Sequence, residues 1–133
     1  MKLWVDDIRN APDDTWHVAR TAIEAIRALA RFDMEVVSLD HDISHQVGMG
    51  ELTRPYPCGE TFASVAYYLA QQIDFKVFIA NTNQEGYTPP RIILHTSNEV
   101  AGDEMYQMFK DTVPGLEVEK KYMGAANRLE MEV

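Results

Sequence analysis

The chain has 133 residues, of which 46% are hydrophobic, and this suits a single globular domain over residues 1–133 rather than a disordered segment. Its formal net charge of −9 at pH 7 disfavours binding to duplex DNA, because phosphate neutralisation needs a basic face. No apolar run is long enough to span a bilayer, and no charged-then-apolar leader opens the sequence. The lone Cys58 cannot form an internal disulfide, which agrees with a reducing compartment. Together these features lead us to expect a cytoplasmic protein without membrane contact.

The first forty residues predict three strands and a helix. Apolar residues 3–5 predict a buried strand that ends at Asp6 and Asp7, and residues 15–20 predict a short second strand after a loop. Thr21 and Glu24 have the spacing of a capping box, which predicts that a helix begins there. Residues 35–39 predict the third strand. The predicted apolar face of the helix consists of Ala22, Ile23, Ile26, Leu29, Ala30 and Phe32.

The remaining residues predict two helices and two strands. A loop at 43–59, rich in Gly and Pro, has a length that is often functional in compact domains. A helix over about 60–73 follows, and residues 75–90 either extend it or form a short strand. Residues 91–95 predict a buried strand, a helix begins between 98 and 102, and residues 116–123 predict an edge strand. The apolar stripe of the 60–73 helix is Phe62, Val65, Ala66, Leu69 and Ile73.

This order of elements predicts an α/β fold. Strands that alternate with helices favour a doubly wound, mostly parallel, five-stranded sheet with helices on both faces. In such sheets the ligand binds beyond the carboxyl ends of the strands, where the strand order reverses.

Three of the predicted strands end in polar side chains, which we expect to meet in one crevice. Four carboxylates placed together repel one another and need a cation or a shared proton, and their hard oxygens suit Mg²⁺ or Mn²⁺. The predicted metal ligands are Asp6, Asp7, Asp40 and Asp42. The predicted catalytic residues are His95, His41 and Asp40, and the predicted phosphate-binding residues are Arg9, Ser97 and Asn98.

Each of these types of residue also has a simpler structural role. The two histidines titrate near neutral pH and can transfer protons, but a histidine at a strand end is often a hydrogen-bonded core residue. Arg9 can make a forked contact to phosphate oxygens. Ser97 and Asn98 can bind phosphate at a helix N-terminus, or one of them can simply cap the helix. Asp6 and Asp7 can likewise cap a turn.

The spacing of these segments resembles the receiver fold of two-component signalling. That fold has an acidic pair after its first strand, an Asp after its third and a Ser or Thr after its fourth, which correspond here to Asp6 and Asp7, to Asp40, and to Thr96 or Ser97. The chain resembles more closely the cyclic-phosphate-processing receiver-like family, through "LWVDDIR", "SLDHDI" and "PPRIILHTSN". The resemblance runs from Lys2 to about Met108. It implies a receiver-like fold that processes 2′,3′-cyclic phosphate ends of RNA or of nucleotides.

Two departures from ordinary receivers favour an enzyme over a phosphorelay. Asp42 lies close to the phosphoacceptor position, Asp40, and would oppose a phosphoaspartate unless a metal offset its charge. Lys120 and Lys121 are predicted to lie within the last strand, which leaves the usual receiver lysine without a counterpart. The leading hypothesis is a metal-assisted phosphoesterase (a hydrolase) whose partner is a phosphorylated small molecule or an RNA end. The alternatives are a receiver-type phosphoacceptor module and a non-catalytic domain that binds a nucleotide or a protein.

Overall fold

The computed structural model describes residues 1–41 and 61–121. Within these ranges the five strands form one parallel sheet in the order β2-β1-β3-β4-β5. The predicted five-stranded, receiver-like α/β fold and its order of elements are confirmed. The strands are β1 (Lys2–Val5), β2 (Trp16–Ala19), β3 (Val36–Leu39), β4 (Arg91–Leu94) and β5 (Val118–Lys120). The helices are α1 (Ala22–Arg31), α2 (Ala63–Asn83) and α3 (Glu99–Thr112).

The direction in which the chain crosses the sheet changes once. It steps from β1 outwards to β2, and then returns past β1 to β3, β4 and β5. The reversal places the carboxyl ends of β1 and β3 side by side at the centre of the sheet. This is the switch point where parallel α/β sheets bind their ligands.

Alternating strand positions separate the two faces of the sheet. One face contributes to a core shared with all three helices, and α2 contacts both α1 and α3. Trp4 and Ser38 occupy the intervening positions, which belong to the second face of the sheet. On this face the Trp4 indole N–H donates a hydrogen bond to the carbonyl of Arg9, in the β1–β2 loop, at 3.0 Å. All three described helices lie on the first face, so the prediction of helices on both faces is not met within residues 1–41 and 61–121, whose second face carries the β1–β2 loop. The strand residues of the shared core are Leu3, Val5, Val37, Leu39, Ile92 and Leu94.

The capping box predicted for α1 is present. The Thr21 hydroxyl accepts the Glu24 backbone N–H, and the Glu24 carboxylate accepts the N–H of Thr21. The buried face of α1 is narrower than predicted, because Ile23 and Phe32 are 58% and 46% exposed. Ile23 lies about 200° around the helix from the buried Ala25, so it points away from the sheet.

Loss of this cap gives a first test of the structure. We expect Thr21→Ala to lower the free energy of unfolding by about 1 kcal/mol, because the N–H of Glu24 loses its acceptor. Thr21→Ser keeps a hydroxyl and should retain most of the wild-type stability. Urea unfolding followed by circular dichroism measures both variants. Equal losses in the two variants would show that the hydroxyl is not the stabilising group.

Helix α2 resolves the ambiguity left by residues 75–90. The helix continues to Asn83 and ends at Gln84, which has a left-handed conformation with φ of 58°. The five residues of the predicted apolar stripe are all buried. The described helix begins at Ala63, and the predicted start at residue 60 lies outside the described residues. No helix within residues 1–41 and 61–121 has both the length and the apolar character needed to cross a membrane.

Candidate functional site

A row of ionisable side chains crosses the sheet one residue beyond the strand ends. The last residues of the strands lie in register with one another: Ala19, Val5, Leu39, Leu94 and Lys120. The residues that follow them, here called the polar row, are Arg20, Asp6, Asp40, His95 and Lys121. Sheet-type hydrogen bonds continue into this row, from the backbone N–H groups of Asp6, Asp40, His95 and Lys121. The sheet itself therefore positions these residues.

Asp6 is fully buried and accepts four hydrogen bonds. Its Oδ1 accepts the backbone N–H groups of Ile8 and Arg9 at 3.0 and 2.9 Å. Its Oδ2 accepts Nε2 of His95 at 2.9 Å and Nη1 of Arg9 at 3.3 Å. Burial by itself raises the pKa of Asp6, but the hydrogen bonds from His95 and from the two backbone N–H groups outweigh it, so the pKa is lowered. Asp6 is therefore a carboxylate anion at neutral pH.

Asp40 has the opposite electrostatic balance, although it lies beside Asp6. Burial and, next, the negative charge of Asp6 raise the pKa of Asp40 to about 7. The rise remains although Oδ1 accepts the N–H of His41 at 2.7 Å and Thr96 donates its hydroxyl to the same carboxylate. Near pH 7, Asp40 is therefore present in both its protonated and its ionised form. The carboxylates of the site therefore carry more negative charge than the cationic side chains around them neutralise.

Arg9 is the cation that joins these two acids. Its Nη1 lies 3.3 Å from Oδ2 of Asp6 and 3.4 Å from Oδ2 of Asp40. Arg20 supports the same loop, because its Nη1 donates to the carbonyls of Asp6 and Arg9 at 3.1 and 2.7 Å. In this structure Arg9, which was predicted to bind phosphate, serves as a counter-ion inside the acidic cluster.

His95 is enclosed on all described sides. Its ring stacks on Trp4 with a centroid separation of 3.9 Å, and its Nδ1 lies 2.6 Å from the Ser38 hydroxyl. Burial lowers the pKa of His95 and outweighs the opposing effect of Asp6, so the ring is neutral near pH 7. The 2.9 Å contact with Asp6 is therefore a hydrogen bond from a neutral imidazole rather than an ion pair. The predicted role of His95 in proton transfer stays a prediction.

Three carboxylates in this region have the geometry of a cation site. Asp6, Asp7 and Asp40 are buried, and each offers one oxygen so that all three oxygens lie within 4.8 Å of one another. Hard oxygens at this spacing suit Mg²⁺ or Mn²⁺, and the raised pKa of Asp40 shows that the cluster has charge to neutralise. All the acceptor positions of Asp6 are engaged, so a cation would take the place of Arg9 there. The fourth predicted ligand, Asp42, lies outside the described residues.

The remaining predicted residues lie around this cluster. His41 is half-buried next to Asp40, and its carbonyl accepts the N–H of Phe62 at 2.7 Å. Ser97 is exposed, and the Asn98 side chain caps α3 by accepting the N–H of Ala101 at 3.0 Å. The capping role that was open for Asn98 is thus observed. Contact of Ser97 and Asn98 with phosphate stays a prediction, and so does a catalytic role for His41.

Thr96, rather than its neighbour Ser97, contacts the acidic cluster. The Thr96 hydroxyl donates to Asp40 and accepts the backbone N–H of Asn98 at 3.0 Å. A Cβ at Gly102 of α3 would lie 3.1 Å from the Thr96 methyl group, so the glycine permits this close approach. Thr96 is the receiver-type Ser/Thr position that the sequence left open between two residues.

Three polar residues of the site were not predicted, namely Arg20, Ser38 and Lys121. Ser38 is a polar residue within the apolar run of β3, two positions before Asp40 and therefore on the same face of the sheet. That interruption was a signal in the sequence. The prediction that Lys121 lies within the last strand is wrong, because β5 ends at Lys120. The alternating pattern of residues 116–123 extended the predicted strand too far, and Lys121 instead follows β5 in register with His95.

Comparison with known proteins gives the family. No curated protein and no solved structure matches the chain. A family model described as the cyclic-phosphate processing receiver domain matches residues 1–111, which include every residue of the site except Lys121. The match covers well over half of the chain, and the five-stranded parallel sheet has the expected fold. The chain therefore belongs to the cyclic-phosphate processing receiver domain family.

Proposed function

We propose that the protein is a metal-assisted phosphodiesterase that opens the cyclic phosphate of an RNA end or a nucleotide by hydrolysis. The observation that carries this proposal is the convergence of three buried carboxylates within 4.8 Å at the switch point of the sheet. Membership of the family supports a cyclic phosphate as the substrate class.

Asp6, Asp7 and Asp40 would hold the cation, with Asp42 as a further predicted ligand. A bound divalent ion supplies neutralisation of developing charge and a lowered pKa for a coordinated water. Asp40 would give up its proton, because a nearby positive charge favours the carboxylate form. Arg9, released from its contacts with the two acids, can then direct its forked donors to phosphate oxygens.

Ring opening needs one proton removed from water and one delivered to the departing sugar oxygen. His41 is the better placed of the two histidines, because it is half-buried beside Asp40, whereas both ring nitrogens of His95 are engaged in a closed environment. We therefore assign both transfers to His41, which would take the proton from water and return it to the sugar oxygen, and we assign a supporting role to His95. Ser97, which is exposed beside the start of α3, would contact phosphate oxygens together with backbone N–H groups of the first turn of that helix.

Hydrolysis of 2′,3′-cyclic AMP tests this function directly. We expect ³¹P NMR to show conversion of the cyclic phosphate into a monoester with Mg²⁺ or Mn²⁺ present, and no conversion in EDTA. Asp40→Asn should lower the rate by about 10²-fold or more, since one carboxylate of the cation site is lost. Asp14→Asn removes the same charge from an exposed position of the β1–β2 loop and is the matched control. Unchanged turnover in EDTA or in Asp40→Asn would contradict the proposal.

One observation favours a phosphoacceptor as the second candidate function. Thr96 bonds to Asp40 and Lys121 follows β5, so the polar positions of a receiver are more complete than the sequence predicted. Incubation with acetyl phosphate followed by intact-mass measurement tests this function. A mass gain that Asp40→Asn abolishes, together with no hydrolysis of the cyclic nucleotide, would favour the phosphoacceptor over the phosphodiesterase.

A further inference from the structure

The contact between Ser38 and His95 belongs to a buried hydrogen-bond chain that ends at Asp6. The Ser38 hydroxyl lies 2.6 Å from Nδ1 of His95, and Nε2 of the same ring lies 2.9 Å from Oδ2 of Asp6. All three residues are at most 1% exposed. Trp4 lies against one face of the ring at 3.9 Å, with an interplanar angle of 11°. The ring is therefore held at both nitrogens and on one face.

The chemistry of Asp6 and Ser38, the two ends of this hydrogen-bond chain, determines which atom donates in each hydrogen bond. An ionised carboxylate only accepts hydrogen bonds, so Nε2 of His95 carries the proton and donates it to Asp6. In the neutral ring, Nδ1 is then an acceptor, and the Ser38 O–H donates to it. Rotation of the ring by about 180° would place carbon atoms at both contacts and lose both hydrogen bonds.

We propose that Ser38 is a positioning residue of the acidic site, whose hydroxyl holds His95 in the Nε2–H tautomer and in the orientation that fixes Asp6. The proposed role deepens the proposed function, on which its metal-binding consequence rests. Oδ2 of Asp6 is shared between His95 and Arg9, so a displaced ring changes which oxygen Asp6 presents to a cation. Partners behind a ligating group commonly change metal affinity by 10- to 100-fold when they are removed.

Three substitutions at one position test this role. Ser38→Ala removes the hydroxyl and leaves a buried acceptor without a donor. Ser38→Thr keeps a hydroxyl on the same strand position, and Ser38→Cys keeps the size with a weak S–H donor. Ser64→Ala removes the same group from an exposed position of α2 and is the matched control. If the alanine variant fails to fold, the cysteine variant carries the comparison.

The first readout is the tautomer of His95 in metal-free protein labelled with ¹⁵N at histidine. Long-range ¹H–¹⁵N correlation spectra should show a single Nε2–H pattern in the wild type, in Ser38→Thr and in Ser64→Ala. Ser38→Ala should lose this single pattern, and Ser38→Cys should be intermediate. A wild-type pattern in Ser38→Ala, or a doubly protonated ring in the wild type, would overturn the proposal.

The second readout is Mn²⁺ binding measured by electron paramagnetic resonance. We expect Ser38→Ala to weaken binding by about tenfold, Ser38→Thr to restore it, and Ser64→Ala to match the wild type. Wild-type affinity in Ser38→Ala would count against the positioning role. Absence of Mn²⁺ binding by the wild type would instead remove the proposed metal-assisted function, while the tautomer spectra would still test Ser38 independently.

Discussion

Asp40→Asn is expected to make the metal-free protein more stable near pH 8, although it removes a residue of the candidate site. The folded protein raises the pKa of Asp40 to about 7, whereas an unfolded Asp has a pKa of about 3.9. Ionising this group in the folded state therefore costs about 4 kcal/mol as an upper bound, at 1.36 kcal/mol for each pKa unit. This cost already includes the attraction to Arg9. Asparagine avoids this cost but has one oxygen fewer to accept the hydrogen bonds of Asp40, so we expect a gain of about 1–3 kcal/mol.

The pH dependence of this difference has a definite sign. Between about pH 4 and pH 7 the folded protein retains the Asp40 proton that the unfolded chain has released, so this group makes the free energy of unfolding fall as pH rises. The lowered pKa values of Asp6 and His95 act in the opposite direction, because the unfolded chain then binds more protons. Subtracting the wild-type curve from that of Asp40→Asn isolates the contribution of Asp40.

Urea unfolding in EDTA at a series of pH values measures the difference. Asp14→Asn, in the exposed loop, should follow the wild-type curve throughout. Addition of Mg²⁺ should stabilise the wild type more than Asp40→Asn, because a ligand stabilises the state that binds it. An Asp40→Asn variant that is less stable than the wild type near pH 8 would show that Arg9 and Thr96 compensate the buried charge fully.

Asp6→Ala is expected to have the largest destabilising effect, about 3–5 kcal/mol. The substitution leaves Nε2 of His95 and two backbone N–H groups without their acceptor, and it removes one of the two carboxylates that Arg9 contacts. Asp6→Asn keeps one oxygen for the backbone donors and should lose less. The two neighbouring acids therefore have opposite effects on stability, since donors surround Asp6 while Asp40 carries uncompensated charge.

The same urea experiments measure the Asp6 variants, with Asp14→Ala as the matched control. Asp14 is exposed, so its truncation should change the free energy of unfolding by less than about 0.5 kcal/mol. Losses of similar size in the free energy of unfolding of Asp6→Ala and Asp14→Ala would mean that water bonds to the donors that have lost Asp6. The closed environment described for His95 would then be incorrect.

Local patterns were sufficient to predict most of the fold. The capping box at Thr21 and the polar ends of β1, β3 and β4 are short-range signals, and the switch-point rule brought the strand ends together. The end of β5 was not predictable in the same way, because residues 119–121 are all charged and no Gly or Pro among them marks where the strand stops. The outer face of α1 was misjudged, since Ile23 has apolar character but no element packs over it in the described residues.

The electrostatic state of the site depends on contacts that no sequence window contains. Ser38 and His95 are 57 residues apart, and His95 and Asp6 are 89 apart, yet each pair is joined by one hydrogen bond. Asp6 and Asp40 belong to the same residue type and both follow a strand, but they differ in the number of donors around them. Proximity of the acids was predictable, whereas the direction of each pKa shift required the three-dimensional contacts.

Trp4 gives the site an optical reporter of its own. Its indole stacks on His95, and its N–H bonds to the carbonyl of Arg9, so one chromophore touches the two residues whose side chains donate to Asp6. Trp16 of β2, the other tryptophan, meets the Trp4 ring edge-on at a centroid separation of 5.7 Å. Any displacement of Arg9 or His95 alters the surroundings of the Trp4 indole. Ligand entry can therefore be followed through intrinsic fluorescence, without a label and in the unaltered protein.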